Sequence, residues 1–181
     1  DYSNLKGTHA FLAPSKPHWL NYSQDKLRNA YINSMAAERG TRLHEWAAEA
    51  IRLRMKLSKS RNTINMFVND SLGWKMSPEV PLYYSTYCYG TADAIAYNKG
   101  ILRINDLKTG VTPAHMEQLE IYAALFCLDY HIDPRSLHTE LRIYQNDEIL
   151  MYDPTEDDLR PIMEKIVEND KILREMEDEA L

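Results

Sequence analysis

The chain has 181 residues, 44% of them hydrophobic and 27% charged, with a formal net charge of −6. That length suits one domain with a sizeable core, and the longest apolar run, "IYAALFCL" (Ile121–Leu128), is far too short to span a membrane. The two cysteines, Cys88 and Cys127, match neither a zinc pattern nor a disulfide framework, so the expectation is a reduced protein of the cytoplasm without a secretory signal.

In chain order, "APSKPHWLNYS" (Ala13–Ser23) reads as a loop, because Pro14 and Pro17 block a helix. A helix is predicted from about Asp25 to Glu38, with Gly40 breaking it. A second helix is predicted over Thr41–Leu57, with Thr41 as N-cap and Leu43, Trp46, Ala47, Ala50, Ile51 and Leu53 as its buried stripe. Its end runs into "RLRMKLSKSR" (Arg52–Arg61), either a local basic surface or a solvated helix end.

From Val80 the period changes to that of strands. "VPLYYSTYCYG", "TADAIAY" and "ILRINDLKT" are rich in β-branched and aromatic residues, and "NKG" between the last two reads as a short hairpin turn. Strand alternation puts Leu102, Ile104, Asp106 and Lys108 on one face and Ile101, Arg103, Asn105 and Leu107 on the other. Asp106 and Lys108 therefore project side by side, about 7 Å apart along the strand. A third helix is predicted over Pro113–Tyr130, opened by Pro113. "SLHTELRIYQ" is a further strand and "NDEILMY" its hairpin partner. An amphipathic helix over Thr155–Leu181 closes the chain, with acids in its first turn where the macrodipole favours them. That segment holds ten Asp/Glu against four Lys/Arg, and the rest holds seventeen of each, so the net acidity belongs to one helix. The fold class expected from this order is α/β or α+β, a small mixed sheet flanked by helices, as a single domain over 1–181.

Beside Arg103, the charged residues Asp93, Asp106 and Lys108 stand in strands that otherwise read as core. Burying an unpaired ion costs several kcal/mol, and two neighbouring carboxylates resist ionising together. A divalent cation between them reverses that repulsion, and Mg²⁺ or Mn²⁺ prefers such oxygen ligands. Taken alone, an Asp-x-Lys tripeptide is a strand-end ion pair. Further residues add weight: Gln118 and Tyr122 share one helix face four residues apart, His44 sits in "GTRLHE", and Glu79 precedes the first strand in "SPEVPLYY".

Together these residues resemble the PD-(D/E)XK nuclease superfamily, and within it the RecB-like branch that includes CRISPR-associated RecB-like nucleases and phage-encoded exonucleases. That branch has a histidine on an early helix, an aspartate in a strand, an acid-x-lysine in the next strand and Gln-x-x-x-Tyr on the following helix. Here these are His44, Asp93, Asp106 with Lys108, and Gln118 with Tyr122, in that order, over roughly residues 40–129. "HAFLAPSKPHWL" is also similar to the branch's opening segment. The four cysteines that hold an iron–sulfur cluster in many relatives are not matched, since this sequence has two, so no such cluster is expected.

The resemblance implies a restriction-endonuclease-like core and hydrolysis of DNA phosphodiester bonds, first as an exonuclease on single- or double-stranded ends. It implies Mg²⁺ or Mn²⁺ held by His44, Asp93, Asp106 and the backbone carbonyl of Leu107, with Lys108 orienting water or stabilising charge. Gln118 and Tyr122 would position the substrate, Glu79 would support a second cation, and a phage origin would fit a small stand-alone nuclease. Trp19, Tyr22 and Trp74 are candidates for base stacking or for ordinary packing. Two alternatives stay open: a catalytically inactive nucleic-acid-binding module on the same fold, and a metal-dependent hydrolase of another phosphoester.

Overall fold

A computed structural model describes residues 3–180. The coordinates divide into two compact units, Asp1–Arg42 and Leu43–Leu181. In the first, two short 3₁₀ segments (Ser3–Leu5 and Pro17–Asn21) lead into helix α1, Gln24–Arg52, whose last third belongs to the second unit. The loop expected over Ala13–Ser23 is corrected at Pro17–Asn21, a 3₁₀ segment that Pro17 opens, its missing N–H costing nothing in the first turn. The Trp19 indole donates to the Ala13 carbonyl at 3.0 Å, and Phe11 meets Tyr31 edge-on at 5.2 Å. Ser23 caps α1, its Oγ accepting from the Lys26 N–H at 3.2 Å.

The predicted break at Gly40 is corrected: α1 runs through it without interruption. One glycine costs about 1 kcal/mol in a helix interior, too little to stop an established helix with good formers on both sides. Thr41 is accordingly mid-helix and donates its hydroxyl back to the Ala37 carbonyl instead of capping. The buried stripe is narrower than expected. Ala47, Ala50 and Ile51 are buried, whereas Trp46 and Leu53 are exposed, Leu53 because the helix has ended at Arg52.

Among the described residues the second unit adds helices α2 (Thr63–Gly73), α3 (Glu117–Asp129) and α4 (Glu156–Ala180). Its strands are β1 (Ser77–Ser85), β2 (Cys88–Asn98), β3 (Ile101–Leu107), β4 (His138–Gln145) and β5 (Glu148–Tyr152). Helix α2 has no counterpart in the sequence reading; Asn62 caps it, accepting from the Ile64 and Asn65 N–H groups. The stretch read as a first strand through Gly90 turns at Thr86–Tyr87, and its tail "CYG" begins β2. Pro113 lies outside α3, four residues before its first residue.

The fold is α+β: one mixed five-stranded sheet in the order β1-β2-β3-β4-β5, antiparallel except for the parallel pair β3–β4. The parallel crossover is carried by α3, as a parallel connection requires. Among the described residues three hairpins close on two-residue loops; Lys99 and Gly100 (50° and 81°) and Asn146 and Asp147 (51° and 59°) have positive φ at each position, and Thr86–Tyr87 between β1 and β2 does not.

Each face of the sheet has its own core. Leu82, Leu102, Ile104, Leu141 and Ile143 pack against Leu119 and Ala123 of α3 and Leu159 of α4. Ala94, Leu107 and Tyr144 pack on the other face against Ala47 and Ile51 of α1 and Phe67 and Val68 of α2. Behind β3 a buried polar net ties α2 to the sheet: the Asn105 amide donates to the Ser71 and Tyr144 hydroxyls, and Tyr144 donates to Asp70 at 2.8 Å.

Helices α1 and α2 end alike. Arg54 N–H bonds the Ile51 carbonyl and Met55 N–H the Ala50 carbonyl; Lys75 N–H bonds Leu72 and Met76 N–H bonds Ser71. Both are Schellman terminations, in which the left-handed position normally falls to glycine. Here it falls to Arg54 (φ 53°) and Lys75 (φ 55°), at a backbone cost of about 1 kcal/mol each.

Candidate active site

The site begins with a gap in the sheet. Strands β2 and β3 pair from Asn98–Ile101 up to Ala94–Asn105 and then separate. The Leu107 N–H beyond that point bonds a side chain: it donates to Asp93 Oδ2 at 2.8 Å. Asp93 thus stands in the opening between two strands, its carboxylate replacing a missing ladder bond.

The carbonyl of the same residue, in the next peptide unit, is held from α1. His44 Nε2 lies 2.6 Å from the Leu107 carbonyl oxygen and 3.5 Å from Asp93 Oδ2. A carbonyl only accepts, so Nε2 carries the proton in this state. The Leu107 side chain is fully buried among Ala47, Ala50 and Ile51, one turn or two along α1 from His44. That packing is why a helix with a polar residue at position 44 delivers it onto this one carbonyl.

Asp106 points to the opposite face of β3 and is only 3% exposed. The Lys108 ammonium lies 2.9 Å from Asp106 Oδ2, a buried ion pair at charge-assisted hydrogen-bond distance. Burial first, and the Asp93 carboxylate second, push the Asp106 carboxyl up to about 6, while Lys108 and His44 act against the rise. Lys108 also donates to Gln118 Oε1 at 2.7 Å, and the Gln118 amide donates to the Tyr122 hydroxyl at 3.2 Å. A chain of contacts therefore runs Asp106–Lys108–Gln118–Tyr122, from β3 onto the first turns of α3.

The Tyr122 ring is seated on β2 at Gly90. A Cβ built on Gly90 would stand 2.8 Å from Tyr122 Cε1, closer than real contacts allow. Only glycine lets the ring lie there.

Six expected positions thus meet around the β2–β3 opening: His44, Asp93, Asp106, Leu107, Lys108 and Gln118, with Tyr122 behind. Among the described residues no three His, Cys, Asp or Glu side chains already stand at the spacing of a metal cage. His44, Asp93 and the Leu107 carbonyl are drawn together, and Asp106 is turned to Lys108. The donor chemistry nonetheless fits a divalent ion. A proton on Nε2 now occupies the place where two oxygens face one nitrogen, and the buried Asp106 carboxylate stands next to Leu107 in the chain. One imidazole with several oxygens suits Mn²⁺ and is compatible with Mg²⁺.

Other expected residues are engaged elsewhere. Glu79 is ion-paired to Arg52 at the end of α1, although it lies on β1 between the partners of Ala92 and Ala94 and so beside Asp93. The Trp74 ring meets two guanidinium groups, Arg142 at 3.9 Å and Arg103 at 4.7 Å. Trp19 bonds Ala13, and the Tyr22 ring lies under the Lys26 ammonium at 4.7 Å. All three aromatics first read as stacking candidates are thus in intramolecular contacts. Cys88 and Cys127 are free thiols; burial pushes Cys127 up to about 11. No described helix is long and apolar enough to cross a membrane.

Sequence reasoning gave no role to Gly90, which seats Tyr122, or to Asn105 and Tyr144, which tie the sheet to α2. Gly90 alone carried a usable signal, a glycine inside a strand pattern that marks a close approach. No protein-family model matches the chain, and no curated protein is similar enough in sequence to count as a relative.

Proposed function

We propose that this protein is a divalent-metal-dependent nuclease that hydrolyses DNA phosphodiester bonds, acting first on DNA ends. The observation that supports it most is the Leu107 backbone, held by Asp93 at its N–H and by His44 at its carbonyl, with the Asp106–Lys108 pair on either side of it in the chain. The preference for ends comes from the resemblance to the RecB-like branch.

Mg²⁺ or Mn²⁺ would be held by His44, Asp93, Asp106 and the Leu107 carbonyl oxygen, and would supply Lewis-acid polarisation of a phosphate oxygen and a bound water of lowered pKa. Lys108 contributes a fixed positive charge beside that place. Its ammonium is anchored between Asp106 and Gln118, so little reorganisation is needed as charge builds on the phosphoryl oxygens. Gln118 presents its oxygen to Lys108 because its amide nitrogen is committed to Tyr122. Asp93 and His44 keep the β2–β3 opening apart and its donors facing inward. Cleavage needs contacts to backbone only, so no base preference follows.

The test is incubation of the purified protein with end-labelled linear DNA and with closed circular DNA, in Mn²⁺, Mg²⁺ or chelator. Metal-dependent loss of the linear form with the circle spared is expected. Cutting of the circle overturns the preference for ends; no cutting of either by folded protein in either metal overturns the nuclease reading.

Gly90→Ala tests the seating of Tyr122. The added methyl displaces the ring and with it the Gln118 anchor of Lys108. Cutting should fall about tenfold or more, in kcat rather than KM, with the thermal midpoint little changed. Unaltered kcat would show that the Gln118–Tyr122 arm does not position Lys108.

A further inference from the structure

We propose that the basic cleft where α1 and α2 end is a docking site for the phosphodiester backbone of a DNA strand, the strand on which the Asp106–Lys108 site acts; that last link rests on the nuclease reading. The cleft has a volume of about 630 Å³ between the ends of both helices and the first residues of β1. Four of its lining side chains are cations, Arg52, Arg54, Lys56 and Lys75, over an apolar floor that includes Ile51 and Met76.

Arg52 is engaged by Glu49 and Glu79. Among the described residues no carboxylate pairs with Arg54, Lys56 or Lys75, whose side chains are exposed. Three unpaired cations in one concavity raise its potential and call for an anion.

The backbone carries the argument further. Arg54 and Lys75 occupy the left-handed position of two separate Schellman terminations, where glycine serves helix ending best. A cation near a helix C-terminus does complement the dipole. Any residue of the last turn provides that benefit without a left-handed backbone. Helix α3 also ends on a left-handed non-glycine residue, His131 (φ 54°), with the Ile132 N–H on the Cys127 carbonyl, so the strain itself is common to these helix ends; what sets α1 and α2 apart is that the residue so placed is a cation lining one cleft.

A polyanion fits better than a single small anion. One arginine satisfies one phosphate, whereas cations spread along a groove over an apolar floor suit repeated phosphates joined by sugars. The cleft and the site share helix α1. Arg52 lies eight residues beyond His44 on α1, about 12 Å by helical rise, or three to four nucleotides at about 3.4 Å each. Its partner Glu79 stands beside Asp93 across the β1–β2 pairing.

The test uses the full chain carrying Asp106→Asn, so that the probe survives, in chelator. Binding of a short fluorescent single-stranded DNA is followed by anisotropy across a salt series. The added changes are Arg54→Gly, Lys56→Ala and Lys75→Gly together. The two glycines relieve the left-handed strain, so the thermal midpoint is expected to hold or rise. Affinity is expected to fall at least tenfold, and the slope of log K against log salt to shrink by about 2, at ~0.7 per lost phosphate contact. Removing Lys165 and Lys171 of α4 instead (both to Ala) should change neither. Unchanged affinity and slope in the cleft variant overturn the docking site even where the parent chain cuts DNA. A chain that binds through the cleft but never cuts, without Asp106→Asn and with Mn²⁺, overturns the nuclease reading and leaves the docking site standing.

Discussion

Asp106→Asn is expected to give a protein more stable than the parent at neutral pH, and one that no longer cuts DNA. In the metal-free protein the Asp106 carboxyl titrates at about 6 instead of 3.8, because it is buried and because Asp93 is close. A carboxyl that holds its proton more tightly when folded favours the fold while protonated. That contribution is complete below pH 3.8 and is lost as the pH rises through about 6. A shift of about two pKa units corresponds to roughly 3 kcal/mol. The neutral isostere should therefore recover ~1–3 kcal/mol in chelator at about pH 7.5, less whatever the Lys108 contact contributes. Urea denaturation of both proteins checks this: the curves should converge near pH 4 and separate above pH 6. Adding Mn²⁺ should stabilise the parent and not the variant. A variant less stable than the parent at neutral pH would mean that Lys108 already satisfies the carboxylate, and the case for a cation would lapse.

Lys108→Ala should lower kcat by about 10²–10³ while leaving KM for DNA within a few fold, as expected for a group that acts on charge developing in the transition state. It should also move the acid limb of the pH–rate profile upward, since Lys108 is the main influence holding the Asp106 carboxyl down. Lys108→Arg separates charge from shape. A compact ammonium reaches Asp106 at 2.9 Å and Gln118 at 2.7 Å at once; a planar guanidinium fork does not fit the same two contacts. The Arg variant should keep the parent's pH profile and still lose most of the rate. Cutting by Lys108→Ala within about threefold of the parent would remove Lys108 from the mechanism.

These expectations rest on features that differ in how visible they are in the chain. The residue types of the site and their order were legible, because a carboxylate inside a β-period pattern stands out against its apolar neighbours. Of the three hairpin turns, Lys99–Gly100 was legible as short polar punctuation, whereas Thr86–Tyr87 was read as strand interior and Asn146–Asp147 as the start of the returning strand. Element boundaries were less so. Gly40 looked like a stop and was absorbed by α1, and Pro113 looked like a start and was left in a loop. Helix α2 was overlooked because "TINMFVNDSLG" is β-branched and polar at several positions, and it is held by its Asn62 cap and by packing on Tyr144.

The sequence by itself determined the α+β class, the face of β3 that Asp106 and Lys108 share, and the presence of His44 and Gln118–Tyr122 on the flanking helices. These follow from periodicities of two and of three to four residues, which are local. Only the tertiary structure decided that β2 and β3 part beyond Ala94–Asn105, so that Asp93 takes the Leu107 N–H, and that Lys75 joins Arg54 in one cleft. Such contacts join residues far apart in the chain. They are set by strand register and by which helix covers which face, and no local propensity encodes either.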